Sequence, residues 1–254
     1  MTQPTQPQAA GPRPAWAMAA VLVAGLLAAC SPAPPGTEIW DPFEAENRER
    51  HTVNLELDAA TTGRDGGGLP APVSRGIANF AANAGGPSDM LNHALQARPG
   101  RVVESTFRFL LNSTLGIGGL FDVATAIGVE GRRTDFGETL HVWGAPEGAY
   151  LVLPLIGPST ERDTAGAVVD LLIDPLNALR PGLRGPAVGA RTTARALARI
   201  GDRAAYSDAI DALVTESADS YAQARLLFLQ SRRFQLDGVA AIDAFDPFED
   251  PYLD

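Results

Sequence analysis

FRFLLNSTLGIGGLFDVATAIG, residues 107–128, is the stretch on which the fold turns. Its first half has the spacing of an amphipathic helix ending near Asn112 and Ser113. The chain then passes through Gly116, Gly118 and Gly119 and restarts as apolar helix from Leu120. The charge-free core, 109–121, is shorter than the ~20 residues a bilayer span needs. It is also too apolar and too broken by glycine for an ordinary surface helix. Glycines this close together let backbone or ligand approach, and let two helical pieces meet at an angle. Periodicity alone favours a buried helix pair joined by a tight turn.

Outside that stretch, composition narrows the function. The 254 residues are 45% hydrophobic and 20% charged, enough for one globular domain of ordinary core size. All 20 basic residues are Arg, so chemistry that needs lysine is excluded, including P-loop nucleotide hydrolysis and Schiff-base formation. A formal charge of −10 argues against non-specific nucleic-acid binding, which needs a basic face. His51, His93 and His141 are the only histidines, none at metal-ligand spacing from another. No serine sits in a Gly-x-Ser-x-Gly elbow, and the glycines at 116, 118 and 119 do not make a dinucleotide fingerprint. The chain therefore reads as a non-enzyme without cofactor or metal. The enzyme alternative is a hydrolase with an unrecognised site.

The single cysteine points to the compartment. Residues 1–29 have one positive charge, Arg13, and then the apolar run AWAMAAVLVAGLLAA, the layout of an export signal. The run ends in Leu27-Ala28-Ala29-Cys30, which resembles the bacterial lipobox. Cys30 is then the acylation site, and a Cys with two or more chains is a stable anchor. The alternative is a plain N-terminal membrane anchor with an incidental cysteine. Residues 30–40 form the acylated, Pro-rich tether.

A series of blocks follows. Asp41-Pro42-Phe43-Glu44 opens a helix, with Asp41 able to cap it and Pro42 suited to its first position. PVSRGIANFAANAGGPSDMLNHALQ, residues 72–96, reads as helix, break at Gly85-Gly86-Pro87, and short helix capped by Ser88 and Asp89. After the Arg132-Arg133 loop, DFGETLHVWGAPEGAYLVLPLIGPSTERD contains an apolar run, 150–156, whose Pro154 makes it a poor central strand. Arg191, Arg195 and Arg199 make one stripe at i, i+4 spacing. It suits lipid phosphates or an acidic partner surface, and equally a solvated helix face. Residues 236–254 read as an acidic, disordered tail.

DPFEAENR, the 72–96 unit, the glycine stretch, the run ending in Gly-Pro-Ser with Arg162-Asp163, and the segment from Ser217 to Phe234 together resemble the MlaA/VacJ family of outer-membrane phospholipid-transport lipoproteins. The aromatic residues usual after the Asn47-Arg48 pair are replaced by Glu49, Arg50, His51 and Thr52. The resemblance covers 41–235. It implies an all-α, ring-like single domain of short amphipathic and apolar helices embedded in the outer membrane of a Gram-negative bacterium, lipid-anchored and facing the periplasm. It implies an amphipathic channel that takes mislocalised glycerophospholipids from the outer leaflet to a periplasmic carrier and preserves lipid asymmetry. Implied partners are trimeric porins, the carrier and the inner-membrane transporter of the same pathway, and no nucleic acid. Candidate channel residues are Gly116, Gly118, Gly119, Leu115, Leu120 and Phe121. The alternative is a structural envelope lipoprotein that binds such partners and moves no lipid.

Overall fold

The computed structural model describes residues 32–62, 70–174 and 217–243. In chain order the elements are α1 (Glu44–Thr62), α2 (Ala71–Leu95), α3 (Pro99–Thr114), α4 (Val123–Ala126), α5 (Phe136–Val142), β1 (Tyr150–Leu153), β2 (Gly157–Thr160), α6 (Glu161–Ile173) and α7 (Ser220–Asp243). Helix α7 runs on through 236–243, where the sequence predicts the start of a disordered tail, and buries Leu236. The described chain is mostly helical, as expected, but not purely so.

The departure from all-α is the antiparallel pair β1–β2, in register from Tyr150 opposite Thr160 to Leu153 opposite Gly157. Pro154 does not forbid it, because the strand ends at Leu153 and the proline falls in the connecting turn. There Leu155 and Gly157 take positive φ, +66° and +93°. The free edge of β1 is covered by α1. The Asn47 amide donates to the Tyr150 carbonyl (3.0 Å) and accepts from the Val152 N–H (2.9 Å). Asn54 repeats the move on the Leu153 carbonyl (3.0 Å) and the Leu155 N–H (2.8 Å). Seven residues is two helical turns, so both amides lie on one face and act as a substitute strand. An edge that would otherwise template pairing is closed by side chains.

Helix α2 is continuous where the sequence predicts a break. Pro87 lies inside it, where it removes one donor from the helical ladder without ending it. The neighbouring Gly86 lets α3 close in, since a Cβ there would stand 3.1 Å from the Phe109 ring. Packing against α3 thus overrides the local break signal. The two helices turn at 96–98, where Ala97 has φ +57°. They run antiparallel, Gly86 facing Phe109 and Asn83 facing Ser113.

Asp41 does something other than cap α1. Its carboxylate accepts from Asn47 Nδ2 (2.9 Å), from the Tyr221 hydroxyl and from Arg225 Nη1, and so ties the start of α1 to α7. Real caps occur further on. Asp135 accepts from the Glu138 N–H (2.7 Å) at α5, and Thr160 from the Asp163 N–H (3.1 Å) at α6. Helices α5 and α6 cross glycine to glycine, since a Cβ on Gly166 would stand 2.3 Å from the Gly137 nitrogen. Around that crossing Phe136, Leu140, Ala165 and Val169 form one buried cluster. A second one, Tyr150, Val152, Tyr221 and Leu229, joins the hairpin to α7. Each such large apolar side chain contributes roughly 1.5–3 kcal/mol on burial.

Candidate functional site

The glycine bend between α3 and α4 is where the sequence places the turn, and its three glycines answer different demands. Gly118 (φ +70°) has nothing within 4 Å of a Cβ position, so its requirement is conformational alone. Gly119 (φ +96°) has that requirement too, and a Cβ on it would sit 2.5 Å from the Asn83 side chain. At Gly116 the demand is purely spatial, because a Cβ would stand 2.3 Å from the Phe121 carbonyl oxygen and 2.4 Å from that of Asn112. Helix α2 grips the bend through Asn79 Nδ2 on the Leu120 carbonyl (3.2 Å) and Asn83 Nδ2 on Ser113 Oγ (2.9 Å). The apolar side chains face outward: Leu115 is 67% exposed, Ile117 65%, Phe121 60% and Leu120 42%. On α3, Val103, Phe107 and Leu110 continue the exposed apolar face at i, i+4, i+7.

Beyond the bend, Arg108 fixes the following loop. Its guanidinium donates to both Asp122 carboxylate oxygens (3.0 Å each), to Thr125 Oγ1 (3.1 Å) and to the Val129 carbonyl. Gly131 packs against it with no room for a side chain, a Cβ there standing 2.2 Å from Nε. Asn112 also donates to Asp122 (2.9 Å) and accepts from the Ala124 N–H (2.9 Å). Burial alone would raise the Asp122 carboxyl, but the hydrogen bonds from Thr125 and Asn112, with the Arg108 charge, outweigh it and hold it at about 2.

Two adjoining cavities open beside this frame. One, of about 460 Å³, is lined by α2 (Asn79, Ala82, Asn83, Gly86, Asp89), by α3 (Arg108, Phe109, Asn112), and by Asp122 and the loop residues Glu130 to Arg133. The other, of about 570 Å³, lies between α2, the same loop and α7, with Phe234 and Gln235 in its wall. They share Ala82, Asp89, Arg132 and Arg133. The lining is mixed: small apolar residues and two aromatic rings beside a set of charges.

Most of those charges are matched. Arg132 meets Glu138 at 3.3 Å and donates to the Gln235 carbonyl at 3.2 Å. Arg98 meets the same Glu138 at 2.6 Å. Arg232 meets Asp135 at 2.7 Å and Asp163 at 3.0 Å. Burial alone would lower the Arg232 guanidinium, yet the two carboxylates keep it above its ordinary value. His93, fully buried under the loop, lies 3.3 Å through Nε2 from the Arg132 carbonyl, and burial pushes its imidazole below the ordinary value.

The sequence leads to the bend and not to this wall. Arg132-Arg133 reads as no more than a loop, because which arginine is spent among the described residues depends on Glu138 and Gln235. The signal available was a Glu and two Arg between glycine-rich loop and the Asp135 cap. Cys30, Arg191, Arg195 and Arg199 lie outside the described residues. Among the described residues no group of His, Asp or Glu could hold a metal ion.

The MlaA lipoprotein family model matches residues 39–235, which contain every element described above except the last turns of α7. The chain belongs to the MlaA lipoprotein family. The intermembrane phospholipid transport system lipoprotein MlaA of Escherichia coli is 33% identical over 208 residues, 78% of this chain and 79% of that protein. An uncharacterised protein of Rickettsia typhi is 36% identical over 152 residues, 55% of this chain, and the match spans 57% of that relative's length. A solved chain concerned with the structural basis for maintenance of bacterial outer membrane lipid asymmetry superposes with TM-score 0.59 at 29% identity. That superposition covers 76% of this chain and 98% of that one. In this MlaA family member, the matched region thus includes the smaller cavity, the glycine bend, the hairpin and all of the larger cavity's lining but Gly238.

Proposed function

We propose that the protein moves glycerophospholipid out of the outer leaflet of a Gram-negative outer membrane and toward a periplasmic carrier, through the paired cavities. The supporting observation is their position: a charged, polar-walled space lies behind an outward apolar tip, Leu115, Ile117, Leu120 and Phe121. A phospholipid needs a polar path for its headgroup and an apolar side for its chains. Among the described residues no helix is long and apolar enough to cross a membrane. The exposed apolar faces of α3 and of α6 (Val168, Leu171, Leu172) fit a ring-like body immersed partway in lipid and held by an acylated Cys30. In this reading Gly116, Gly118 and Gly119 shape the bend beside the path, and none of the three lines either cavity. Leu115, Leu120 and Phe121 meet the acyl chains, and porins and the inner-membrane transporter are the assembly partners. Arg191, Arg195 and Arg199 face headgroups or the carrier.

The test has two readouts. Protein purified in mild detergent should carry phospholipid detectable by mass spectrometry, and cells lacking it should show phospholipid on the outer surface. Lipid-free protein, in cells whose surface phospholipid is unchanged by its loss, would favour a structural envelope lipoprotein instead.

A further inference from the structure

Of the charged side chains lining the two cavities, two are left over. Glu130 and Arg133 are exposed and, among the described residues, form no hydrogen bond or ion pair, with each other or with anything else. Glu130 lines the smaller cavity and Arg133 lines both. The remaining lining charges have partners: Arg108 with Asp122, Arg132 with Glu138, Arg232 with Asp135, and Asp89 with the Thr134 N–H at 3.4 Å. The leftover charges are therefore one negative and one positive on the same wall.

The loop that carries them is held on both sides. Arg108 takes the Val129 carbonyl, the Arg132 carbonyl faces His93, and Thr134 Oγ1 accepts from Gln96 Nε2 (2.7 Å) and donates to Glu138 (3.0 Å). Its backbone is thus ordered in advance, which reduces the cost of binding a ligand.

The geometry points to a headgroup site for a zwitterionic phospholipid, with Arg133 taking the phosphodiester and Glu130 the headgroup ammonium. This rests on the phospholipid-transport reading above and adds a preference to it. An arginine fork suits phosphate oxygens. An anionic headgroup such as phosphoglycerol satisfies Arg133 but leaves Glu130 facing added negative charge. The apolar part of the lining, Ala81, Ala82, Phe109 and Phe234, gives the acyl chains a place beside the pair.

The full-length acylated protein in detergent is offered vesicles of equal phosphatidylethanolamine and phosphatidylglycerol, repurified, and its bound lipid weighed by mass spectrometry. Wild type should be enriched in phosphatidylethanolamine about threefold, the scale of one partly exposed charge pair. Glu130→Gln should remove the enrichment, and Arg133→Gln should lower total bound phospholipid. Both variants should melt as wild type does, since among the described residues neither side chain has a partner to lose. Bound lipid that mirrors the offered mixture in wild type, or equal enrichment in Glu130→Gln, overturns the proposal while leaving transport intact. Wild type with no phospholipid overturns the transport reading itself. Displacement of the lipid by soluble glycerophosphoethanolamine or inorganic phosphate would assign the pair to a soluble phosphate compound and reject the lipid.

Discussion

Asn47 holds Tyr150 by the main chain, its amide donating to the tyrosine carbonyl at 3.0 Å inside a fully buried site. The same side chain serves the Val152 N–H. One residue therefore replaces the two ladder bonds that a third strand would provide.

Asn47→Ala leaves that carbonyl and that N–H without partners, at about 1–3 kcal/mol each. Asn54→Ala removes the equivalent bonds at the more exposed end of the strand and should cost less, on the order of 1 kcal/mol. Thermal melts of both variants check the order. Equal losses would show that the substitute-strand pairing is not what holds α1 to the hairpin.

Alanine at the three glycines should separate conformation from space. Gly118→Ala has room for its methyl group and should cost only ~1 kcal/mol of backbone strain. Gly119→Ala has the strain and a 2.5 Å approach to the flexible Asn83 side chain, so it should cost more. Gly116→Ala meets two backbone carbonyls that cannot easily move and should be the most damaging. Melting temperature and abundance should fall in that order. If Gly118→Ala proves the worst, the bend has a different geometry from the one described.

Asp122 gives an acid-side signature. Its folded value of about 2 lies below its unfolded value of 3.8. Its contribution is therefore fully present above the unfolded value and is lost as pH falls through the folded one. The size is up to about 2 kcal/mol. The stability gap between wild type and Asp122→Asn should be constant above about pH 4 and shrink between about pH 4 and pH 2. Denaturant melts across that window read it directly, and a gap that persists unchanged at the acid end would rule out the Arg108–Asp122 linkage.

Cys30→Ala should abolish acylation and leave the protein unprocessed at this position and absent from the outer-membrane fraction. Labelled fatty acid uptake and fractionation follow both. An unmodified Cys30 on mature outer-membrane protein would end the lipid-anchor proposal.

What the residues disclosed, and what they withheld, divides along local and long-range physics. The bend at 116–119 was legible because glycine density is a local signal. Pro87 misled, because whether a proline ends a helix depends on the partner packed beside it, here Phe109 against Gly86. Pro154 misled in the opposite sense, since the strand stops one residue earlier and its open edge is satisfied by amides from a helix a hundred residues away. The cavity wall stayed hidden for a related reason. Arg132 and Arg133 are identical in sequence terms, and among the described residues only Glu138 and Gln235 separate the spent cation from the one left without a partner.

The clasp on Asp41 bears on how the protein is made. Its carboxylate, 4% exposed, waits for Tyr221 and Arg225, 180 and 184 residues further along the chain. Until they arrive, α1 cannot bury its opening carboxylate against α7, so a helix made early is among the last to settle. Pairing this distant in the chain folds slowly and leaves apolar surface open in the meantime.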